Sequence, residues 1–338
     1  MIRHLPEGLV PFEDCGYARQ PLHPLEGQEI RLGCLCDGPA PVLEMADGRK
    51  IPSEPGTQKH CYAWRIPAER GTLRYRFISG EESTSWFETE ILRPVSVTRP
   101  LRTGRGWAEL CPGVYLCAEG EKGGAALTLR SAPREAENPL RFGGDALWSL
   151  GALSCTEITL LLRPDGTPAR METTLRGGQR HVYGTGERFD GPDQQGRGSS
   201  GQVAEHFTRQ GPWSYLPMPM FLTDGGFGWF RDAGENVRFA FEEGGVVRIE
   251  SAAGPGIADH LLTGTPAAQL RAYLNLTGEC VLPPEWAFGL WISANGWHCD
   301  ADVEEQLSML KKYDCPASVM VLEAWSDEST FYRWNEVW

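Results

Sequence analysis

From the N-terminus to about residue 260, apolar and polar positions alternate in short runs broken by Gly, Pro and Asp clusters: EIRLGCLCD, TLRYRFIS, SWFETEI, AALTLR, EITLLLRPDG and GVVRIES. Period-two alternation sends successive side chains to opposite faces of a strand. Runs of this length and spacing therefore predict antiparallel β-sandwiches. The stretch TLRYRFISGEESTSWFETEI reads as two alternating strands joined by a polar turn, and residues 1–94 as a small immunoglobulin-like β-sandwich module. RPVSVTRP, with two prolines and a fresh strand pattern after it, marks the passage to a second sandwich over residues 95–264.

The periodicity changes after residue 264. Thr265 and Pro266 supply a hydroxyl N-cap and a first-turn proline, Leu270 and Leu274 repeat at i, i+4, and Gly278 stops the helix. VLPPEWAFGLWIS then reads as a buried strand entered through two prolines. Residues 302–312 carry Val303, Leu307 and Leu310 on one helical face, with acids at the start and lysines at the end, as the helix dipole favours. SVMVL follows as a second continuous apolar strand. This is a β-α-β unit, so its strands are expected to be parallel with a right-handed crossover. One such unit cannot close a sheet. Residues 265–338 are therefore expected to be a linker helix and the beginning of a larger domain.

Composition narrows the function classes. The 338 residues are 41% hydrophobic and 23% charged, an ordinary globular supply of apolar side chains. A formal net charge of -13, spread along the chain, would repel nucleic acid. No stretch reaches the roughly 20 apolar residues a membrane span needs, and the first twenty residues lack the apolar run of a signal peptide. The expectation is a cytoplasmic protein with no membrane and no nucleic-acid partner. Ten scattered cysteines without a CxxC pair read as free buried thiols, with Cys34 and Cys36 on one strand face, and no metal site or cofactor is expected.

Three stretches resemble glycoside hydrolase family 31, the α-glucosidase and α-xylosidase family. VYGTGERFD (182–190), followed by YLPMPMFLTDGGFGWFRD (215–232), is similar to that family's Tyr-Gly-x-Gly-Glu-Arg and Pro-x-Pro-Phe signatures. LTGECVLPPEWAFGLWIS (276–293) resembles its linker into the first barrel strand, and VMVLEAWSDESTFYRWN (319–335) its second barrel strand. The resemblance covers roughly residues 180–338. It implies a galactose mutarotase-like β-sandwich followed by a (β/α)8 TIM barrel, and a retaining α-glycosidase acting on an oligosaccharide or glycoside substrate. Such enzymes use two carboxylates, nucleophile and acid/base. In that family both stand on later barrel strands, so catalytic residues are expected beyond Trp338, and the chain by itself is expected to be an inactive N-terminal portion. A competing reading is a carbohydrate-binding protein that keeps the sandwiches without catalysis.

Candidate chemistry concentrates at two places. Side chains at the C-terminal end of a barrel strand face the active site, which makes Glu323, at the end of SVMVL, a candidate for holding sugar hydroxyls. Asp327 lies in the same loop and reads equally as a capping residue. Six of the 12 tryptophans fall between residues 286 and 338. Trp325 and Trp297 follow strand ends and are candidates for stacking on pyranose rings, whereas Trp286 and Trp291 read as core. The second place is the long polar loop 191–215, which the resemblance sets over the barrel mouth, with His206, Trp213 and Tyr215 as candidate pocket-rim residues. GTGERF lacks the third glycine of a dinucleotide fingerprint and reads as a tight strand-end turn, with Glu187 and Arg188 paired to each other. No Gly-x-Ser-x-Gly elbow and no phosphate-binding GKS or GKT is present.

Overall fold

The computed structural model describes residues 1–7, 15–56, 58–204, 210–211, 213–294, 296–323, 325–327 and 329–338. The chain divides into two compact units, Met1–Thr277 and Gly278–Trp338. The first is built of antiparallel sheets, the second of one parallel strand pair with a helix.

At the N-terminal end, two five-stranded sheets form the small sandwich. The alternation in Gly71–Ser79 explains its packing. Tyr75 and Phe77 point inward and are fully buried, while Arg74 and Arg76 point outward over the ring of Trp86, at 5.2 and 4.7 Å from its centroid. Gly71–Ser79 pairs with Phe87–Ile91 in the register Tyr75↔Phe87 to Gly71↔Ile91, so the expected hairpin is present, with the short strand Glu82–Ser83 inside its turn. Leu32, Leu43, Trp64 and Phe77 close the core. His4 lies in it, with Nδ1 donating to the carbonyls of Gly33 (2.6 Å) and Tyr17 (3.0 Å) and Nε2 accepting from the Tyr75 hydroxyl (2.9 Å). The two carbonyls fix the proton on Nδ1. Burial pushes the pKa of His4 down to about 4.

The strand Arg93–Val97 leaves this module and pairs with Leu153–Leu162 of a larger sandwich made of two eight-stranded sheets. Its interior is aromatic. Trp148 and Trp229 stack at 6.3 Å, and Phe221 meets Phe239 and Phe241 edge-on at 5.3 and 5.2 Å. A buried ion pair joins adjacent strands of one sheet in this layer: Arg231 Nη1 donates to Asp259 Oδ2 at 2.5 Å, and the Trp229 indole donates to Asp259 Oδ1 at 2.9 Å.

Helix α1 (Pro266–Thr277) packs on the outer face of the second of these sheets, so it lies with the sandwich unit and not with the segment after it. Its cap is the expected one, since the Thr265 hydroxyl accepts from Ala268 N–H at 3.3 Å, and Gly278 follows with φ +105°. Its buried face differs from the expectation. Leu270 is 43% exposed, and the buried positions are Gln269 and Ala272. Gln269 accepts from Thr223 N–H (3.0 Å) and donates to the carbonyls of Thr223 (2.9 Å) and Gly264 (2.7 Å). It thus satisfies the end of strand Pro217–Thr223, which a leucine would leave unpaired. Tyr273 meets Phe230 edge-on at 5.1 Å beside it.

In the second unit, Trp291–Ser293 and Val319–Val321 pair in parallel, with α2 (Asp300–Lys312) between them in sequence. The first strand is shorter than expected. Behind Pro283 and Pro284, residues Glu285–Phe288 form a 3-10 turn, and Leu290 bonds across to Ser318 and Val319 through its carbonyl. Neither strand is buried as a parallel strand usually is, and Trp286 and Trp291 are about half exposed instead of packed in a core. The cause is the number of layers: two strands and one helix cannot cover both faces. The cysteines divide the same way. Seven are buried in the sandwich unit, whereas Cys280 and Cys315 are exposed and Cys299 half-buried, against the expectation of buried thiols throughout. Burial pushes the Cys34 thiol up to about 12.

Candidate functional site

The parallel register Trp291↔Val319, Ile292↔Met320, Ser293↔Val321 brings the C-terminal ends of both strands side by side. Two residues beyond Val321, Glu323 is half-buried and accepts a hydrogen bond from the Ser293 hydroxyl. The strand end of the first element therefore orients the carboxylate carried by the second. Ser293 had no assigned role in the sequence, because nothing local distinguishes it from a strand terminus. Only the pairing reveals it.

The loop after Glu323 is closed by its own hydrogen bonds. Asn335 N–H donates to Trp325 O (2.9 Å), Asp327 N–H to Arg333 O (3.0 Å), and Ser326 bridges Trp334. Trp325 meets Trp334 edge-on at 5.1 Å, and Trp334 lies 6.1 Å from Trp338. Asp327 is the clasp of this loop. Its Oδ1 accepts from the Ser329 hydroxyl (2.6 Å), Ser329 N–H (3.0 Å) and Thr330 N–H (2.7 Å), and its Oδ2 from the Thr330 hydroxyl. The Ser329 and Thr330 donors hold its carboxyl well below the usual carboxylate range. Of the two roles open to Asp327, its geometry is that of a cap. Trp297 is buried, with 9% exposure, at the loop leading to α2, where Asp302 accepts from His298 N–H at 2.8 Å.

In the sandwich unit, GTGERFD is a β-bulge. Strand Val182–Gly186 pairs with Pro217–Thr223 and slips register between Gly184 and Gly186, and Thr185 sits at φ +67° between two glycines with positive φ. A Cβ on Gly186 would lie 2.2 Å from the Leu216 carbonyl oxygen, so only glycine fits. The expected Glu187–Arg188 pair is not formed. Past the strand end the chain bends: Glu187 is exposed, and Arg188 turns inward to Asp190 at 3.3 Å. Burial raises the Asp190 pKa, but bonds from Arg188 and Gln194 more than offset this and lower it overall. Asp193 anchors the same turn to Val182 N–H (3.1 Å) and the His181 ring (2.7 Å).

The polar loop 191–215 is partly structured. Gly198–Ser200 is an edge strand paired with Arg238–Glu242. Trp213 and Tyr215, read from sequence as one rim, stand in different surroundings. Trp213 is half-buried against the outer face of that sheet, beside Arg238 and Arg248, whereas Tyr215 is exposed and packs near Phe189 at 6.4 Å. His206 lies outside the described residues.

The architecture defines a multidomain, mainly β protein: two β-sandwiches followed by the start of a (β/α)8 barrel. Residues 280–338 match the model of the glycosyl hydrolases family 31 TIM-barrel domain. A 1,3-alpha-isomaltosidase from Kribbella flavida is 25% identical over 99% of this chain and 45% of its own length. An isomaltosyltransferase from Sporosarcina globispora is 30% identical over 46% of this chain and 15% of its own. The solved structure of a cycloalternan-forming enzyme from Listeria monocytogenes, in complex with a pentasaccharide substrate, superposes with a TM-score of 0.77 at 19% identity, covering 99% of this chain and 38% of that one. Over residues 280–338 the chain is thus similar to glycoside hydrolase family 31, and it spans less than half the length of these relatives.

Proposed function

We propose that residues 1–338 are the substrate-facing N-terminal part of a retaining α-glycosidase acting on α-linked gluco- or xylo-oligosaccharides. In this reading a small module (1–94) and a mutarotase-like sandwich (95–264) lead into the linker and opening barrel strands (265–338). Glu323 accepts hydrogen bonds from sugar hydroxyls, while Trp325 offers a ring face to pyranose C–H surfaces and the buried Trp297 supports the loop from beneath. The observation that carries the reading is the Ser293–Glu323 hydrogen bond at the shared C-terminal ends of two parallel strands, which is where barrel enzymes place their chemistry. The names of the relatives support the substrate class, since they include an isomaltosidase, an α-xylosidase and an α-glucosidase.

Nucleophile and acid/base roles are not assigned to Glu323, because the family that the chain resembles carries both carboxylates of its retaining pair on later barrel strands. The chain alone is accordingly expected to bind isomaltose without cleaving it. Titration followed by tryptophan fluorescence should show binding that Glu323→Gln weakens about tenfold, the cost of one lost charge-assisted hydrogen bond. Equal affinity in the variant would remove Glu323 from the site. Turnover of an aryl α-glucoside that Glu323→Gln abolishes would instead make it catalytic.

A further inference from the structure

The outer face of the sheet containing Gly198–Ser200, Arg238–Glu242, Val246–Ala252 and Pro168–Arg176 carries side chains in two registered rows. One row runs Glu172, Glu250, Arg238, Ser200. The next runs Thr174, Arg248, Ala240, Gly198. The second row ends on two of the smallest residues while its neighbours are long, so the face sinks into a groove of about 400 Å³ with Trp213 on its border. Gly198 is not demanded by its backbone. A Cβ there would meet only the Phe239 carbonyl oxygen, at an ordinary 3.4 Å, so the missing side chain keeps the groove open and relieves no clash.

The charges in the groove are paired. Arg248 contacts Glu172 at 3.2 Å and Glu242 at 2.8 Å, and Arg238 lies 3.8 Å from Glu250, which Arg170 also contacts at 2.9 Å. Two arginines facing two glutamates leave no net field to attract an ion, and an anion would have to displace a carboxylate from its guanidinium. What the pairs do offer is donors and acceptors side by side on one surface, next to an indole. A solvated ladder of ion pairs would need neither the small floor at 198 and 240 nor the tryptophan. Helix α1 occupies the outer face of the other sheet, so this groove is separate from the helix-docking surface.

We propose that this groove is a second carbohydrate site, taking a neutral pyranose unit of an oligosaccharide by stacking on Trp213 and hydrogen bonding to the Arg238–Glu250 and Arg248–Glu172 pairs. It lies wholly within Met1–Thr277 and does not depend on the role of Glu323.

The experiment uses the full chain in a Glu323→Gln background, so that the strand-end residues do not dominate the signal. Isomaltotriose, maltotriose and inorganic phosphate are titrated by calorimetry. The expected result is saturable binding of at least one trisaccharide, none of phosphate, and a loss of about tenfold or more in affinity in both Trp213→Ala and Ala240→Leu. Ala240→Leu fills the groove from the solvent side without entering the core, and an unchanged melting temperature verifies its fold. Affinity unaltered in a folded Ala240→Leu protein, absence of trisaccharide binding, or binding of phosphate in place of sugar would each overturn the proposal.

Discussion

Histidine makes the small sandwich sensitive to acid, since burial pushes the pKa of His4, and of His23, below the ordinary value. In the folded chain His4 is held neutral, with its pKa down to about 4, against about 6.5 when unfolded. The unfolded chain therefore binds a proton between those values and the folded chain does not. The stability contributed by the neutral ring is complete above about pH 6.5 and is lost as pH falls through 4. This difference corresponds to roughly 3 kcal/mol. Urea unfolding followed by the small module's signals should show the midpoint dropping between pH 7 and 4.5, and His4→Gln should flatten that pH dependence, with His23 supplying the remainder. Thiol chemistry is also decided residue by residue. Cys34 lies in the core with its pKa raised to about 12, so it presents no thiolate near neutrality, whereas Cys280 and Cys315 are open to solvent. Titration with an aromatic disulfide under native conditions should label Cys280 and Cys315 first. The seven buried thiols should follow only on unfolding, and rapid native labelling of Cys34 or Cys155 would contradict the packing.

For the elements, α1 shows how a polar side chain can hold a helix where the hydrophobic pattern points elsewhere. Leu270 and Leu274 set the expected periodicity, yet Gln269 is the residue fully buried, satisfying both backbone groups of Thr223. Gln269→Leu would bury those two groups without partners, at a cost on the order of 3 kcal/mol. Leu270→Ser should change stability by no more than about 0.5 kcal/mol. Hydrogen exchange across Pro266–Thr277 should speed up in the first variant and stay unchanged in the second. The bulge at Gly184–Gly186 has the same character. Its glycines were read as a tight turn at a strand end, and the register slip against Pro217–Thr223 puts the turn inside the ladder, where Asp190 and Asp193 then organise the loop that follows.

The whole molecule is uneven in what it buries. The sandwiches hold nearly all the core, while Val281, Leu282 and Phe288 are each at least 70% exposed, and among the described residues of Gly278–Trp338 Trp297 is the buried hydrophobic one. With burial worth about 25 cal/mol per Å² of apolar surface, the second unit has little to oppose its chain entropy. Limited proteolysis and hydrogen exchange of residues 1–338 should find Gly278–Trp338 opening well before the sandwiches. An added hydrophobic dye should report its exposed faces at temperatures where the sandwich is still folded. Protection of Trp291–Ser293 equal to that of Leu153–Leu162 would contradict this.

The β-rich architecture, the hairpin of the small module, the β-α-β unit with its parallel strands and the carboxylate at its strand end were all legible in the sequence. Each follows from a local rule: period-two alternation, caps and prolines at helix starts, and the short crossover that forces parallel pairing. Tertiary structure alone decided which partner each polar group meets. Ser293 reaches Glu323 only because two strands separated by 25 residues come into register. Arg188 meets Asp190 instead of its neighbour Glu187 where the chain bends after strand Val182–Gly186, and Trp213 lies beside Arg238 and Arg248 while Tyr215 lies near Phe189. Side-chain direction, ladder register and layer count are properties of pairs and layers of elements. A pattern read along one chain carries the elements themselves, but not the surfaces they turn toward one another.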